Sequence, residues 1–165
     1  MDKKLLEMLT GKLLGDGNLS IEEGKKPRLR FSHSVNDKDW CFYCYEQLKP
    51  LLPVNEPKYK KSKDPRVTKG YTELFYVQSK TDPTLCYLKD LWYKNRIKVL
   101  PKEFIRNHLS PLALGWWYLD DGHLKLDRNG KPLKIILSTD SFTQEENLFL
   151  ISVLKEKYEL HFNID

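Results

Sequence analysis

The sequence is poor in cysteine and histidine. Its 165 residues include three cysteines and four histidines. Cys41 and Cys44 form a Cys-x-x-Cys motif without the second pair that would complete a zinc site, and Cys86 stands alone. We therefore expect reduced, mostly buried thiols. The histidines lack metal-ligand spacing and are expected to be structural or surface residues: His33, His108, His123 and His161.

Targeting segments and long apolar runs are also missing. No stretch resembles a signal or transit peptide, and no apolar run is long enough to span a bilayer. These absences predict a soluble, intracellular protein without a membrane partner, located in the cytoplasm, the nucleoid or an organelle matrix.

The composition is that of a basic globular protein. Hydrophobic residues make up 40% of the chain, enough for one core or for two small cores that share an interface. The formal net charge is +5, and lysine and arginine are spread along the chain. This distribution predicts a broad basic surface that faces a polyanion.

Two short segments each combine an apolar helical run with a terminal acid and glycine. Residues 9–17 end in Asp16-Gly17, and residues 114–122 end in Asp121-Gly122. Glycine is a common stop signal for a helix. Two carboxylates at matching helix ends are the ligands that a hydrolytic metal site needs. For either acid alone, an ordinary helix end before a turn is the alternative.

Similar elements follow both segments. The first part is predicted to have the order α-β-β-α-β-β-α: a helix at 3–15, a strand at 27–35, a helix capped by Asn36 or Asp37, a basic turn-rich stretch at 58–71, a strand at 71–79 and a helix at 82–95. The second part has a helix from Ser110, a hairpin turn at 128–131, a strand at 134–141 and a helix with a Thr143/Glu146 capping box. The shared layout indicates an internal duplication.

These residues resemble the LAGLIDADG homing endonucleases, in the branch that carries two repeats on one chain. The resemblance rests on the two nine-residue segments and on Lys98-Val-Leu-Pro101 and Leu109-Ser-Pro111 before the second of them. It implies an α+β fold in which two pseudo-symmetric αββαββα repeats form a DNA-binding saddle. The repeats are predicted at 1–98 and 109–165, with a linker at 99–108.

The resemblance also implies roles for individual residues. Asp16 and Asp121 would hold Mg²⁺ or another divalent cation and act in catalysis. Asp121 occupies the family's catalytic eighth position, whereas Asp120 is expected to be structural or to contribute its backbone carbonyl. Lys98 matches a basic residue near the scissile phosphate, where a cation steadies developing charge. A solvated lysine is the alternative for Lys98.

Double-stranded DNA is the implied partner, read by the polar faces of the strands. The candidate base contacts are Arg28, Arg30, Ser32, Thr72, Tyr76, Gln78, Lys125, Lys134, Ser138 and Asp140. The candidate phosphate contacts are Lys58, Lys60, Lys61, Lys63, Arg66 and Lys69. A solvated loop is the alternative for each of these lysines.

The second repeat is about half as long as the first. Residues 161–165 are expected to begin a third strand whose partner strand and following helix are missing. A fragment, a degenerate copy and one piece of a split protein are the alternatives. A complete chain would be monomeric, while an unfinished second repeat could associate with another molecule.

Three functions stay open at the level of sequence. The first is site-specific cleavage of double-stranded DNA at a long site by divalent-metal catalysis. The second is a maturase or splicing cofactor that binds intron RNA, and the third is an inactive remnant that binds DNA. The presence of both Asp16 and Asp121 favours cleavage, because a maturase does not need paired acids at helix ends.

Overall fold

The computed structural model describes residues 1–164, which form six α-helices, one 3₁₀ helix and eight β-strands. The α-helices are α1 (Lys3–Leu14), α2 (Lys38–Leu48), α3 (Pro83–Trp92), α4 (Lys102–His108), α5 (Pro111–Asp121) and α6 (Gln144–Tyr158); the 3₁₀ helix is Val35–Asp37. The strands are β1 (Asn18–Leu19), β2 (Leu29–Ser34), β3 (Lys58–Lys63), β4 (Tyr71–Gln78), β5 (Tyr93–Lys94), β6 (Ile97–Lys98), β7 (Gly122–Leu126) and β8 (Pro132–Leu137).

Helices α1 and α5 lie side by side at the centre of the molecule. The Asp2 side chain caps α1 and the Ser110 side chain caps α5, each by accepting a backbone N–H. The helices approach so closely at Gly11 that a Cβ there would lie 2.5 Å from the Ala113 carbonyl oxygen. A Cβ at Gly15 would likewise meet the Asp120 side chain. Both acid-glycine segments therefore lie at the same end of the helix pair.

The first half has the predicted order α-β-β-α-β-β-α. Its antiparallel sheet has the strand order β1-β2-β4-β3. In β2, buried and exposed residues alternate, and its buried residues join the same core as Cys41, Cys44 and Leu48 of α2. Burial raises the pKa of the Cys41 thiol to about 11 and that of Cys44 to about 12, so these thiols are unreactive.

Three local predictions are wrong in the first half. Residues 58–63, expected to be turn-rich, form the edge strand β3, because β4 supplies a complete ladder of partners. Asp37 makes no side-chain cap for α2; Ser34 instead caps the 3₁₀ helix that precedes it. Helix α3 ends at Trp92, because Asn95 and Arg96 take positive φ angles of 48° and 67° and turn the chain into the β5–β6 hairpin.

The segment predicted as a linker contains the helix α4. Phe104 and Ile105 of α4 are buried in the one hydrophobic core that residues of both halves build. On its outer side, α4 forms salt bridges to α6 through Lys102–Glu145 and Arg106–Glu156. The capping box predicted at Thr143 is confirmed at the start of α6. Within the described residues, no helix is long and apolar enough to cross a membrane.

The second half forms a two-stranded sheet, β7–β8, instead of a four-stranded one. Residues 161–164 form no strand, so the third strand expected there is wrong for the described residues, and Asp165 lies outside them. One face of the hairpin is apolar and exposed, with Leu124, Leu126 and Ile135 at 39%, 49% and 51% exposure. The α+β class is thus as predicted.

Candidate active site

The ends of α1 and α5 bring three acids together. Asp16 follows Gly15, the C-terminal cap of α1, and its backbone N–H donates to Asp120 Oδ2 at 3.1 Å. Burial, and then the charges of Asp120 and Asp121, raise the pKa of Asp16 to about 6. Burial and the charges of Asp120 and Asp140 also raise the pKa of Asp121. Both predicted metal ligands therefore carry a negative charge that the protein does not fully neutralise.

Lys98 reaches the same point from β6. Its Nζ donates to the carbonyl oxygen of Gly17 at 2.9 Å. Burial lowers the pKa of Lys98 to about 8, although the three acids oppose this shift. The β5–β6 hairpin thus places the third predicted catalytic residue beside Asp16 and Asp121.

Asp120 is engaged by the protein itself. Its side chain is fully buried and accepts hydrogen bonds at Oδ1 from Lys12 Nζ at 2.6 Å and from Trp40 Nε1 at 2.8 Å. Lys12 is also fully buried, and its ammonium lies 4.2 Å from the centroid of the Phe31 ring. These contacts agree with the structural role expected for Asp120.

His33 is a residue of the site that the spacing of the histidines did not reveal. Its Nε2 lies 3.0 Å from Lys12 Nζ, and its Nδ1 lies 3.4 Å from Asp16 Oδ2. Burial, and then the positive charge of Lys12, lower the pKa of His33 to about 4. The sequence signal that could have identified His33 is its position in β2, where it is a polar residue on the buried face of an alternating strand.

One potential ligand atom from each of Asp16, His33 and Asp120 lies within 4.8 Å of the others. This trio is a poor cation site, because the Lys12 ammonium already contacts both His33 Nε2 and Asp120 Oδ1. The hard carboxylate oxygens of Asp16 and Asp121 fit a divalent cation better. Besides burial, neighbouring acids raise the pKa of both residues, so a bound cation would reduce the repulsion among these carboxylates.

A polar strand face extends from these acids across the first sheet. Because cross-strand partners share a face, the register places the following predicted DNA contacts together with Asn18: Arg30 and Ser32 of β2, Gln78, Tyr76 and Thr72 of β4, and Lys58 and Lys60 of β3. Asp16, Asn18 and Arg30 line one shallow cleft with Tyr76 and Gln78, so the face is continuous with the acid cluster. We name Asn18 and the predicted DNA contacts that share its side of the sheet the first strand face.

Other predicted DNA contacts lie elsewhere. Lys61 pairs with Glu73 on the opposite side of the sheet, and its ammonium lies 3.8 Å from the centroid of the Tyr71 ring. Lys63 shares that side. Arg66 binds Asp64 through two hydrogen bonds within the β3–β4 turn, which also contains Lys69. Arg28 is exposed just before β2.

The second hairpin contributes a smaller polar face. Lys125 and Lys134 are cross-strand partners, and His123 lies on the same side by alternation. The Ser138 backbone N–H donates to the Asp121 carbonyl oxygen at 3.2 Å, which joins this face to the acids. Asp140 lies beyond β8, where its charge contributes to the raised pKa of Asp121.

The sequence model of the LAGLIDADG DNA endonuclease family matches residues 6–165, nearly the whole chain. The chain belongs to the LAGLIDADG DNA endonuclease family. Among similar proteins, the DNA endonuclease I-ChuI of Chlamydomonas applanata is 31% identical over 93% of this chain and 72% of its own length. The cytochrome b mRNA maturase bI2 of Debaryomyces hansenii is 32% identical over 97% of this chain.

A solved homing endonuclease shares the fold of this chain. The homing endonuclease I-WcaI, solved bound to its DNA recognition sequence, matches 99% of this chain with a TM-score of 0.80 and 23% sequence identity. The match covers 71% of the I-WcaI chain, and this chain spans 59% of the length of the Debaryomyces maturase. Several of these relatives are therefore substantially longer than this chain.

Proposed function

We propose that this protein is a metal-dependent endonuclease that hydrolyses phosphodiester bonds of double-stranded DNA at a specific, long recognition site. The observation that carries the proposal is the meeting of Asp16, Asp121 and Lys98 at the edge of the first strand face. Membership of the LAGLIDADG DNA endonuclease family supports DNA as the substrate. A basic chain of net charge +5 is consistent with that partner.

Asp16 and Asp121 are the proposed holders of the cation. Both are only partly buried at the ends of their helices, so their oxygens can face the DNA. When bound there, Mg²⁺ or another divalent cation supplies a water of lowered pKa and positive charge for the phosphate oxygens. Asp120 is not proposed as a ligand, because Lys12 and Trp40 already occupy its Oδ1.

Lys98 is proposed to act on the scissile phosphate. A fixed positive charge beside that group stabilises the negative charge that develops in the transition state. Its pKa of about 8 also lies near neutral pH, where proton exchange with a bound water is most effective. The hydrogen bond from Lys98 to the Gly17 carbonyl oxygen holds the side chain next to Asp16 until DNA arrives.

The first strand face is proposed to read the DNA. Arg30 can donate two hydrogen bonds to guanine, and Gln78 can make two with adenine. Lys58 and Lys60, on the outer strand of the same face, are placed for phosphate contacts that raise affinity without selecting sequence.

The test is cleavage of a library of double-stranded DNA targets in Mg²⁺. We expect Asp16→Asn and Asp121→Asn to abolish cutting while binding to a selected target in EDTA persists. Asp90→Asn removes an exposed acid from α3 and serves as the charge-matched control, which should cut like the unmodified protein. Unchanged cutting by Asp16→Asn would overturn the mechanism.

An RNA maturase is the second candidate, favoured by the similarity to two cytochrome b mRNA maturases. Besides the Debaryomyces protein, the cytochrome b mRNA maturase bI2 of Saccharomyces cerevisiae is 29% identical over 99% of this chain. Binding and splicing assays on intron RNA separate the two functions. If the protein promotes splicing and cuts no DNA in the library, the maturase function is correct and the endonuclease function is wrong. If it binds DNA but shows neither activity, it is an inactive remnant.

A further inference from the structure

The imidazole of His33 lies between two charged groups, the Lys12 ammonium of α1 and the Asp16 carboxylate just after α1. Its Nε2 lies 3.0 Å from the Lys12 ammonium, and its Nδ1 lies 3.4 Å from Asp16 Oδ2. The His33 side chain is only 5% exposed, so water does not compete freely for either nitrogen. The proposed metal ligand Asp16 thus has a buried neighbour that neither the catalytic nor the DNA-binding proposal uses.

Lys12 determines which nitrogen of His33 carries the proton. An ammonium group has three N–H donors and no acceptor, so Nε2 must accept a hydrogen bond from it. A neutral imidazole has one N–H, which is then at Nδ1, facing Asp16. Lys12 cannot turn away easily, because Asp120 Oδ1 lies 2.6 Å from its Nζ and the Phe31 ring lies beside it.

We propose that His33 is a positioning residue that donates its Nδ1–H to Asp16 and fixes the direction of that carboxylate. This inference rests on the proposed function, in which Asp16 holds the cation. A group that hydrogen-bonds a metal ligand restricts its rotation and tunes its basicity, and its loss commonly weakens metal binding. His33 is not itself a ligand, because Lys12 occupies Nε2 and the proton occupies Nδ1.

The arrangement belongs to the first half alone. When Asp16 is aligned with Asp121 and the hairpin registers are matched, Lys12 corresponds to Trp117 and His33 to Thr139. Trp117 has no ammonium group, so the second half has no counterpart of the contact between Lys12 and His33. Asp121 instead has a hydrogen bond with the Ser138 side chain.

The first experiment observes the tautomer in the full chain without metal. Two-bond ¹H–¹⁵N correlation spectra of uniformly ¹⁵N-labelled protein at pH 7 distinguish a protonated from an unprotonated ring nitrogen. We expect His33 to show a protonated Nδ1 and an unprotonated Nε2. A protonated Nε2, or an imidazolium with both nitrogens protonated, would overturn the proposal. The result does not depend on any activity of the protein.

The second experiment measures Mn²⁺ binding by calorimetry. His33→Leu removes both hydrogen bonds and is expected to weaken Mn²⁺ binding by roughly 10- to 100-fold. His33→Gln can still accept from Lys12 and donate to Asp16, so it should recover much of that loss. His161→Gln changes an exposed histidine and is the matched control, expected to bind like the unmodified protein.

The outcomes separate this inference from the proposed function. Wild-type binding by a folded His33→Leu protein would overturn the positioning role, with folding checked by thermal unfolding. If His33→Leu does not fold, the tautomer and the His33→Gln affinity decide. If the unmodified protein binds no Mn²⁺ while His33 shows the expected tautomer, the metal site fails and the hydrogen bond to Asp16 stands as a structural contact.

Discussion

The carboxyl group of Asp16 lies beside two other acids and two lysines in a partly buried position. Burial and the neighbouring acids outweigh the lysines, which is why its pKa rises to about 6. Without a cation, the folded protein therefore favours the protonated form of Asp16 more than the unfolded chain does. This imbalance links the stability of the metal-free protein to pH.

We expect this linkage to appear when the unmodified protein is compared with Asp16→Asn in EDTA. The folded pKa of about 6 lies above the usual 3.8, so the stabilising contribution is complete below 3.8 and is lost as pH rises through 6. Since the Asp16 side chain is about a third exposed, we expect the unmodified protein to lose on the order of 1 kcal/mol of unfolding free energy relative to Asp16→Asn over this pH range. Urea unfolding between pH 4 and 7 measures it. Parallel stability curves for the two proteins would contradict the pKa shift.

Lys60 and Lys61 are adjacent, equally charged and on opposite sides of β3. We expect Lys60→Ala to weaken DNA binding and to reduce the slope of log affinity against log salt by about 1, because it lies on the first strand face. Lys61→Ala is the matched control and should leave the slope unchanged. Fluorescence anisotropy over a series of salt concentrations tests this, and equal effects of both substitutions would show that the sheet does not bind DNA through this face.

The residues of the candidate site were predictable where the motif carries them and unpredictable where contacts are distant in sequence. Asp16, Asp121 and Lys98 were named from the sequence, and the fold brings them together. The contact between Lys12 and Asp120 spans more than a hundred residues, and no periodicity in the chain encodes it. His33 was expected to be a structural or surface residue, and its partners follow only from the packing of β2 against α1.

At the scale of elements, the pair formed by α1 and α5 depends on small residues on one side only. Gly11 and Gly15 of α1 face Trp116 and Asp120 of α5, so the interface is asymmetric although the helices correspond. The buried salt bridge between Lys12 and Asp120 that fills this asymmetric interface could not be predicted from the sequence.

Adding a methyl group at Gly11 tests how closely α1 and α5 approach each other. Gly11→Ala should destabilise the protein by on the order of 2 kcal/mol, because its Cβ would lie 2.5 Å from the Ala113 carbonyl oxygen and 2.6 Å from Trp116 Cβ. Gly115→Ala is the control in α5: nothing lies within 4 Å of its Cβ, so better helix propensity should stabilise by about 0.5–1 kcal/mol. Chemical denaturation measures both, and a neutral Gly11→Ala would contradict the close approach.

The whole molecule combines the four-stranded sheet of the first half with the two-stranded sheet β7–β8 of the second. Leu29 of β2 pairs with Leu19, and their counterparts in the second hairpin are Ile135 and Leu124. Leu29 is fully buried, whereas Ile135 is 51% exposed. The absence of a strand at 161–164 could not be predicted from the sequence, because a strand needs a partner as well as suitable residues.

Equivalent substitutions should therefore have unequal costs in the two halves. Leu29→Ala is expected to destabilise the protein by about 2–5 kcal/mol, and Ile135→Ala by less than about 1 kcal/mol, because only the first leaves a buried cavity. Thermal or urea unfolding of the full chain provides the comparison. A similar cost for Ile135→Ala would mean that the hairpin face is covered in solution, which sedimentation of the same sample would identify as self-association.

The buried Lys12–Asp120 pair has a consequence for the order of events at the DNA. It joins the two central helices through a positive charge that belongs to the protein, so the spacing of Asp16 and Asp121 is set before any ion arrives. Under the proposed function, we expect recognition of DNA and recruitment of the cation to be independent steps. We expect this chain to form its DNA complex in a chelator, and the later addition of metal ions to that complex to act as the trigger for a synchronous single turnover.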